Sequence, residues 1–297
     1  MWYGSETRIS PFARVRRERA LPRPGKVLVK PGDHVEATQV VARVGVPGDF
    51  RIVPVGRILG IAASDVQGCL QVSLGATIHR GDVIAKRRGL LGASVTSPID
   101  GIITATGGGR VLIEAKPKPL ELYAHISGTV MSVKNDQIIG IETAGALIQA
   151  HWGPPRESIG ALKCVTRRPT EPLQTQTVDP SCHGCVLVAG TTLAEEPLAK
   201  ARQVDVRGLV TGGLATELIP VVRELPFPVV VTDGFGEIPM METIFSLLAE
   251  YEGVEASISG RLPSGLDAGR PEILIPIPKR QPPPDRRIKR LELAAGS

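Results

Sequence analysis

Along residues 20–155 the apolar positions come in short runs, broken by glycine, proline or charged pairs. That spacing predicts short strands joined by tight turns. VLVKPGDHVEATQVVAR (27–43) and VSLGATIHRGDVIAKR (72–87) share one pattern, in which Gly32 matches Gly75, Val35 matches Ile78 and Val40-Val41-Ala42 matches Val83-Ile84-Ala85. SPIDGIITAT (97–106) and AHISGTVMSV (124–133) form a second pair, aligning Gly101 with Gly128 and Ile99 with Ile126. A turn leading into a core strand, repeated in this way, predicts a small closed or half-closed antiparallel barrel. A strand and short helix are expected as an insertion at 46–66, and RRGLLG (87–92) as an exposed loop.

The period changes in the second half. VLVAG (186–190), GLVTGG (208–213) and PVVVTDGFG (228–236) read as buried strands, with helices expected near 193–203, 214–224 and 241–251. EASISG (255–260) and EILIPIP (272–278) read as closing strands. Near-continuous apolar runs alternating with helices are what a buried parallel sheet requires. The expected class is therefore α+β with two domains, an N-terminal all-β barrel with internal repeats and a C-terminal three-layer α/β domain with a mostly parallel sheet. The boundaries are a basic N-terminal segment (1–19), the barrel (20–155), a linker (156–178), the α/β domain (179–278) and a basic, proline-rich tail (279–297).

Composition fits many strands and turns: of 297 residues, 33 are glycine and 26 proline, while aromatics make up only 3%. A hydrophobic fraction of 42% supports real cores. The net charge of +5 is concentrated in RVRRER (14–19) and KRQPPPDRRIKR (279–290), read as solvated ends or as contacts to nucleic acid, anionic lipid or an acidic partner. Nucleic acid is disfavoured because the strands lack the stacking aromatics of single-strand binders. No run of the length needed to cross a membrane occurs, and no signal-peptide core, so a cytoplasmic location is expected, with peripheral membrane contact open.

Open parallel sheets collect ligands at the carboxyl ends of their strands. Those ends carry Gly190 and Thr191, then Thr211, Gly212 and Gly213, then Thr232, Asp233, Gly234, Phe235 and Gly236. Glycine allows close backbone approach, and helix starts beyond offer free amides to an anion. This crevice is the candidate site for a small anion or a partner's loop; the alternative is that the glycines only make tight turns. Asp233 is a general base, a metal ligand or a turn residue, and Glu237 a helix cap. There is no Walker lysine and no spaced GxGxxG, so no nucleotide and no cofactor is predicted. Cys182-His183-Gly184-Cys185 offers a redox pair or half of a metal site, against ordinary thiols at a strand entrance. The other cysteines, Cys69 and Cys164, and His34, His79, His125 and His151 are isolated in sequence, and no metal site is predicted.

Glu114-Ala115 and Ser127-Gly128-Thr129-Val130 stand at the spacing of the hairpin that presents the modified lysine in biotinyl and lipoyl carrier domains, which the N-terminal half resembles. The lysine's place falls on Pro117, and Lys116 and Lys118 are each followed by proline. The barrel segment is similar to the barrel-sandwich hybrid of the Rnf-type electron-transport C subunit and the quinone-reductase A subunit, without their cysteine clusters. LVTGG resembles the strand of phosphohistidine domains, without the histidine. Over nearly the full chain, PGKVLVKPGDHVEATQVVARVGVPGDFRIVPVGRILG, SPIDGIITATGGGRVLIEA, VRGLVTGGL and VVVTDGFGEIPMMETIFSLLAEYEGVEASISG look like a group of bacterial proteins, typified in Chloroflexi, that join a carrier-like barrel to a small α/β domain. The resemblance implies that architecture and no activity. The leading expectation is a non-catalytic scaffold or ligand-sensing protein; the alternative is a redox or group-transfer accessory acting through Cys182 and Cys185. Homo-oligomerisation through barrel edges is open.

Overall fold

The computed structural model describes residues 8–46, 48–87, 92–115, 118–260 and 270–277. The chain opens with strands β1 (Arg8–Ala20), β2 (Lys26–Val27), β3 (His34–Val35) and β4 (Val40–Val46). There follow β5 (Phe50–Val53), helix α1 (Val55–Leu59), β6 (Thr77–Ile78), β7 (Val83–Lys86) and β8 (Ser94–Thr96). Next come β9 (Gly101–Gly107), β10 (Arg110–Ala115), β11 (Lys118–Tyr123), β12 (Gly128–Lys134), β13 (Ile138–Gln149) and β14 (Glu157–Cys164). The remainder is β15 (Cys185–Val188), α2 (Glu195–Val204), β16 (Gly208–Leu214), α3 (Ile219–Glu224), β17 (Val229–Phe235), α4 (Glu242–Glu250), β18 (Glu255–Ser259) and β19 (Glu272–Pro276). Strand outweighs helix, 44% to 18%, and the sheets are mixed, which places the protein in the α+β class. No described helix is long and apolar enough to cross a membrane.

Two compact units emerge: residues 42–121 with 23–26 form one, and the segments before and after form the other. This division differs from the expected barrel at 20–155. In the larger unit a ten-stranded sheet runs β17-β16-β15-β14-β18-β19-β13-β12-β3, with β1 also on β13. Only β14 to β17 are parallel neighbours, so the expectation of a mostly parallel sheet gives way to a mixed one. β18 pairs antiparallel with β14, and β19 bridges β18 to β13, so strands from both halves of the chain share one sheet.

Two further expectations are corrected. RVRRER is not a solvated end, because it lies in β1, which pairs with β13 almost throughout. Two of its four arginines are matched with carboxylates, while Arg14 and Arg16 stay exposed: Arg17 forms a two-pronged ion pair with Glu272, and Arg19 another with Glu157 (2.8 and 2.6 Å). The expected linker 156–178 contains β14, which is an interior strand of the sheet. Only LKCV, from Leu162, reads as a strand in sequence; β14 begins earlier, at Glu157, where small and polar residues hide it, and its burial falls mainly on Gly160 and Leu162. The tail 279–297, the tip of RRGLLG and Lys116 lie outside the described residues.

Alternation along the parallel strands explains the two cores. Leu187, Ala189, Leu209, Val229 and Val231 face α2 and α3 through Leu198, Ala201 and Val222. Val186, Val188, Val210 and Val230 face the other way, onto Ile244, Phe245 and Leu248 of α4. The expected helix near 214–224 is shorter, a 3-10 turn followed by α3.

The repeats seen in sequence recur as hydrogen bonds. In the larger unit Gly128 lies opposite Val35; in the smaller, Gly101 lies opposite Ile78. The Gly32 amide donates to Val130 O (2.8 Å) and the Gly75 amide to Ile103 O (2.8 Å). Leu28 donates to Val41 O (2.9 Å), and its counterpart Gln71 to Ile84 O (3.0 Å). Each copy closes with a strand pair, β4 with β11 and β7 with β8. The second copy therefore sits, in sequence, between the two arms of the first. Both copies need glycine for the same reason: a Cβ on Gly128 would lie 2.3 Å from Glu142 O, and one on Gly101 2.3 Å from Glu114 O.

Gly101→Ala and Gly128→Ala are each expected to cost about 2–3 kcal/mol through forced backbone separation. Gly32→Ala meets nothing within 4 Å but has φ of +95°, and should cost less, about 1–2 kcal/mol. Urea denaturation of the three variants checks this, and equal losses at positions 101 and 32 would contradict it.

Candidate functional site

The parallel order β14-β15-β16-β17 brings the expected site residues to adjacent strand ends. A ladder of hydroxyls ties them together. The buried Thr211 Oγ1 donates to Thr191 O, and the buried Thr232 Oγ1 is within reach of Thr211 O (3.1 Å) and Asp233 Oδ2 (2.6 Å). Asp233 accepts the Met241 amide at 3.2 Å, fixing the start of α4. Asp233 thereby ties the end of β17 to the start of α4. Glu237 makes no cap bond at the start of α4, where Met241 is the capping residue and makes no side-chain bond of its own.

The glycines are crowded by the chain's own backbone. A Cβ at Gly190 would lie 2.5 Å from Arg168 O and 2.6 Å from Glu171 O. One at Gly212 would lie 2.2 Å from the Met240 nitrogen, and one at Gly213 2.3 Å from Gly236 O. The segments 168–171 and 236–241 thus occupy the space that close approach requires. The amides are engaged as well: Thr191 donates to Glu171 O, Gly212 to Gly190 O, Gly213 to Thr191 O, Gly236 to Leu214 O, and Met240 to Gly190 O. Gly234 and Gly236 have φ of +151° and +111°, conformations that glycine adopts readily.

The rim leaves three large apolar side chains open, with the exposed carboxylates of Glu237 and Glu242 among them. Phe235 is 38% exposed, Ile238 36% and Met241 47%. Phe235 is braced edge-on by His151 (5.7 Å between ring centroids) and Trp152 (5.8 Å). Those two rings are held by main-chain bonds, in which the His151 and Trp152 amides donate to Val231 O and the Val231 amide to Trp152 O.

Cys182 and Cys185 are free thiols at the entrance to β15. Cys182 is buried, with its sulfur 3.6 Å from Thr177 O, while Cys185 is partly exposed. Between them His183 Nδ1 donates to Val204 O (3.0 Å), and Gly184 turns the chain with φ of +73°. Among the described residues no cluster of three or more His, Cys, Asp or Glu side chains is placed to hold a metal. Cys164 is a different case: burial, with the nearby Glu252 charge adding to it, pushes its thiol up to about 11.

Sequence reasoning missed one cluster, His125, Glu157 and Arg19. His125 has φ of +60°, a costly backbone for a residue with a side chain. Its Nε2 lies 3.2 Å from Glu157 Oε1, and its Nδ1 is buried without a partner among the described residues. Arg19 grips Glu157 with two nitrogens and also donates to Tyr123 O (3.1 Å). The signal was in the repeat: in AHISG against SPIDG, His125 stands where the second copy has Pro98, whose ring forbids positive φ. Burial drives the His125 imidazole below its ordinary value and outweighs the attraction of Glu157. Burial would raise Glu157, but the Arg19 hydrogen bonds and charge, with His125, hold it below the usual carboxylate range.

Both shifts make the fold acid-labile. A histidine depressed in the native state binds its proton more readily when unfolded, so stability falls as pH drops below 6.5. The Glu157 contribution is full above 4.5 and is lost as pH falls through its lower native value. In His125→Asn, which tolerates the left-handed backbone, the urea midpoint should be flat between pH 7 and 5 and still fall below 4.5. A wild-type slope retained over pH 7 to 5 in this variant would contradict the assignment. Alkylation of the native protein at pH 8 should label Cys69 and Cys185 and spare Cys164 and Cys182; prompt labelling of Cys164 would contradict its raised thiol.

No protein-family model and no curated protein matches this sequence, so its function has to be read from its own geometry.

Proposed function

We propose that the protein is a non-catalytic cytoplasmic scaffold, in which a duplicated, carrier-like barrel-sandwich frame and a layered α/β region present an apolar rim to a protein partner. The reading rests on one observation: Phe235, Ile238 and Met241 are exposed together at strand ends whose nearby amides are already engaged. An anion at such an edge needs free amides. With six of them committed, the small-anion form of the site loses its support and the partner form keeps it. Clustered aromatic and methionine side chains on a surface are the composition of interface centres. Phe235 is also pre-ordered by His151 and Trp152, which lowers the entropic cost of docking. The matching partner surface carries apolar side chains that fill the space around Phe235.

The redox alternative draws less support, because Cys182 is buried. Lineage with the carrier-barrel proteins of bacteria is part of the same proposal and is carried by the two copies of the turn-strand motif.

A photo-reactive residue placed at Met241 in the native host should yield a defined adduct with one protein, which Phe235→Asp abolishes. With that partner purified, Phe235→Ala should weaken binding by roughly tenfold or more. No adduct, or an adduct unchanged by Phe235→Asp, would sink the proposal.

A further inference from the structure

β5 is one edge of the four-stranded sheet of the smaller unit, whose order is β5-β10-β9-β6. Edges are usually protected by shortness, proline or charge. β6, the other edge, is only two residues long. β5 has four, and two of them are large, apolar and open: Phe50 is 53% exposed and Ile52 62%.

The pairing with β10 fixes which way each residue points. The Ala115 amide donates to Asp49 O (3.0 Å), and Val53 lies opposite Val111. Residues 49, 51 and 53 therefore turn their main-chain groups toward β10, and Phe50 and Ile52 turn theirs to the open side. The side chains of Phe50 and Ile52 share a face with their cross-strand neighbours Glu114 and Leu112, and Leu112 is only half buried. Asp49 and Arg51 flank Phe50 on the other face; both are exposed, and neither side chain is paired among the described residues.

We infer that β5 pairs antiparallel with β5 of a second copy of this chain, with Phe50 on the twofold axis. Asp-Phe-Arg matches itself under that operation. Phe50 exchanges both main-chain hydrogen bonds with the partner subunit's Phe50, and Asp49 of each copy lies opposite the partner subunit's Arg51. Opposite charges directly across a strand pair stabilise it, and the twofold makes the contact twice. A shift that sets Phe50 against Ile52 would oppose two Arg51 side chains, so charge selects the register. The exposed apolar face then continues across the axis as one larger surface.

Sedimentation equilibrium of the full chain tests this. The wild type should have a mass near twice 31.5 kDa, and Ile52→Lys should be monomeric with an unchanged far-UV circular dichroism spectrum. Asp49→Arg alone should weaken the dimer by roughly tenfold, and the swap Asp49→Arg with Arg51→Asp should restore it. Paired strands hold these α-carbons about 5.5 Å apart, within disulfide reach, so Phe50→Cys should form a covalent dimer on mild oxidation where the wild type does not. A wild-type monomer up to 100 µM (roughly a hundredfold above micromolar affinity) would overturn the inference. So would a dimer indifferent to Ile52→Lys, or a Phe50→Cys chain that does not cross-link.

Discussion

The larger unit depends on β13 being paired along both edges. One edge is taken by β1 from Arg8 to Ala20; the other is divided between β12, at residues 138–142, and β19, at residues 145–149. A strand satisfied this way leaves few main-chain groups unpaired, and an unpaired buried group is costly. Gly145 sits where the second edge changes hands, with a Cβ there only 2.1 Å from Ile275 O. Strands from the beginning, middle and end of the chain therefore meet on one element, and the helical layers inherit their position from it.

Half of the arginine charge in RVRRER is absorbed within the fold. Arg17 and Arg19 are spaced by two and emerge on one face, where Glu272 and Glu157 meet them. The charges reach beyond the hydrogen-bond ladder to strands that β1 does not touch directly. Partners that far apart in sequence are invisible to a reading of local charge, and RVRRER looked like a solvated run because its carboxylates lie 138 and 255 residues away.

The repeats were legible because they are carried by glycine and by residues of the core, and both respond to local geometry. Gly32, Gly75, Gly101 and Gly128 could be aligned from sequence, and the hydrogen bonds fall where the alignment puts them. The strand ends were less transparent. Glycine reports that something approaches closely, and it cannot report whether that is a ligand or the chain itself. At Gly190, Gly212 and Gly213 it is the chain. The end of β14 was legible at LKCV while its start was obscured by small and polar residues, and His125 was obscured by its isolation in sequence, although its mismatch with Pro98 marked it.

The nesting of one copy within the other has a consequence for how the chain reaches its native state. The arms of the outer copy are separated by the whole of the smaller unit, and closing a long loop costs entropy that grows slowly with its length. The inner copy draws on nearer neighbours, β6 to β10, and can form first. At the exits of the inner segment, β4 and β11 of the outer copy pair, with Arg43 and Glu121 2.9 Å apart. An inner copy that formed early would bring the outer strands close before they pair, so short-range contacts favour assembly from the inside outward.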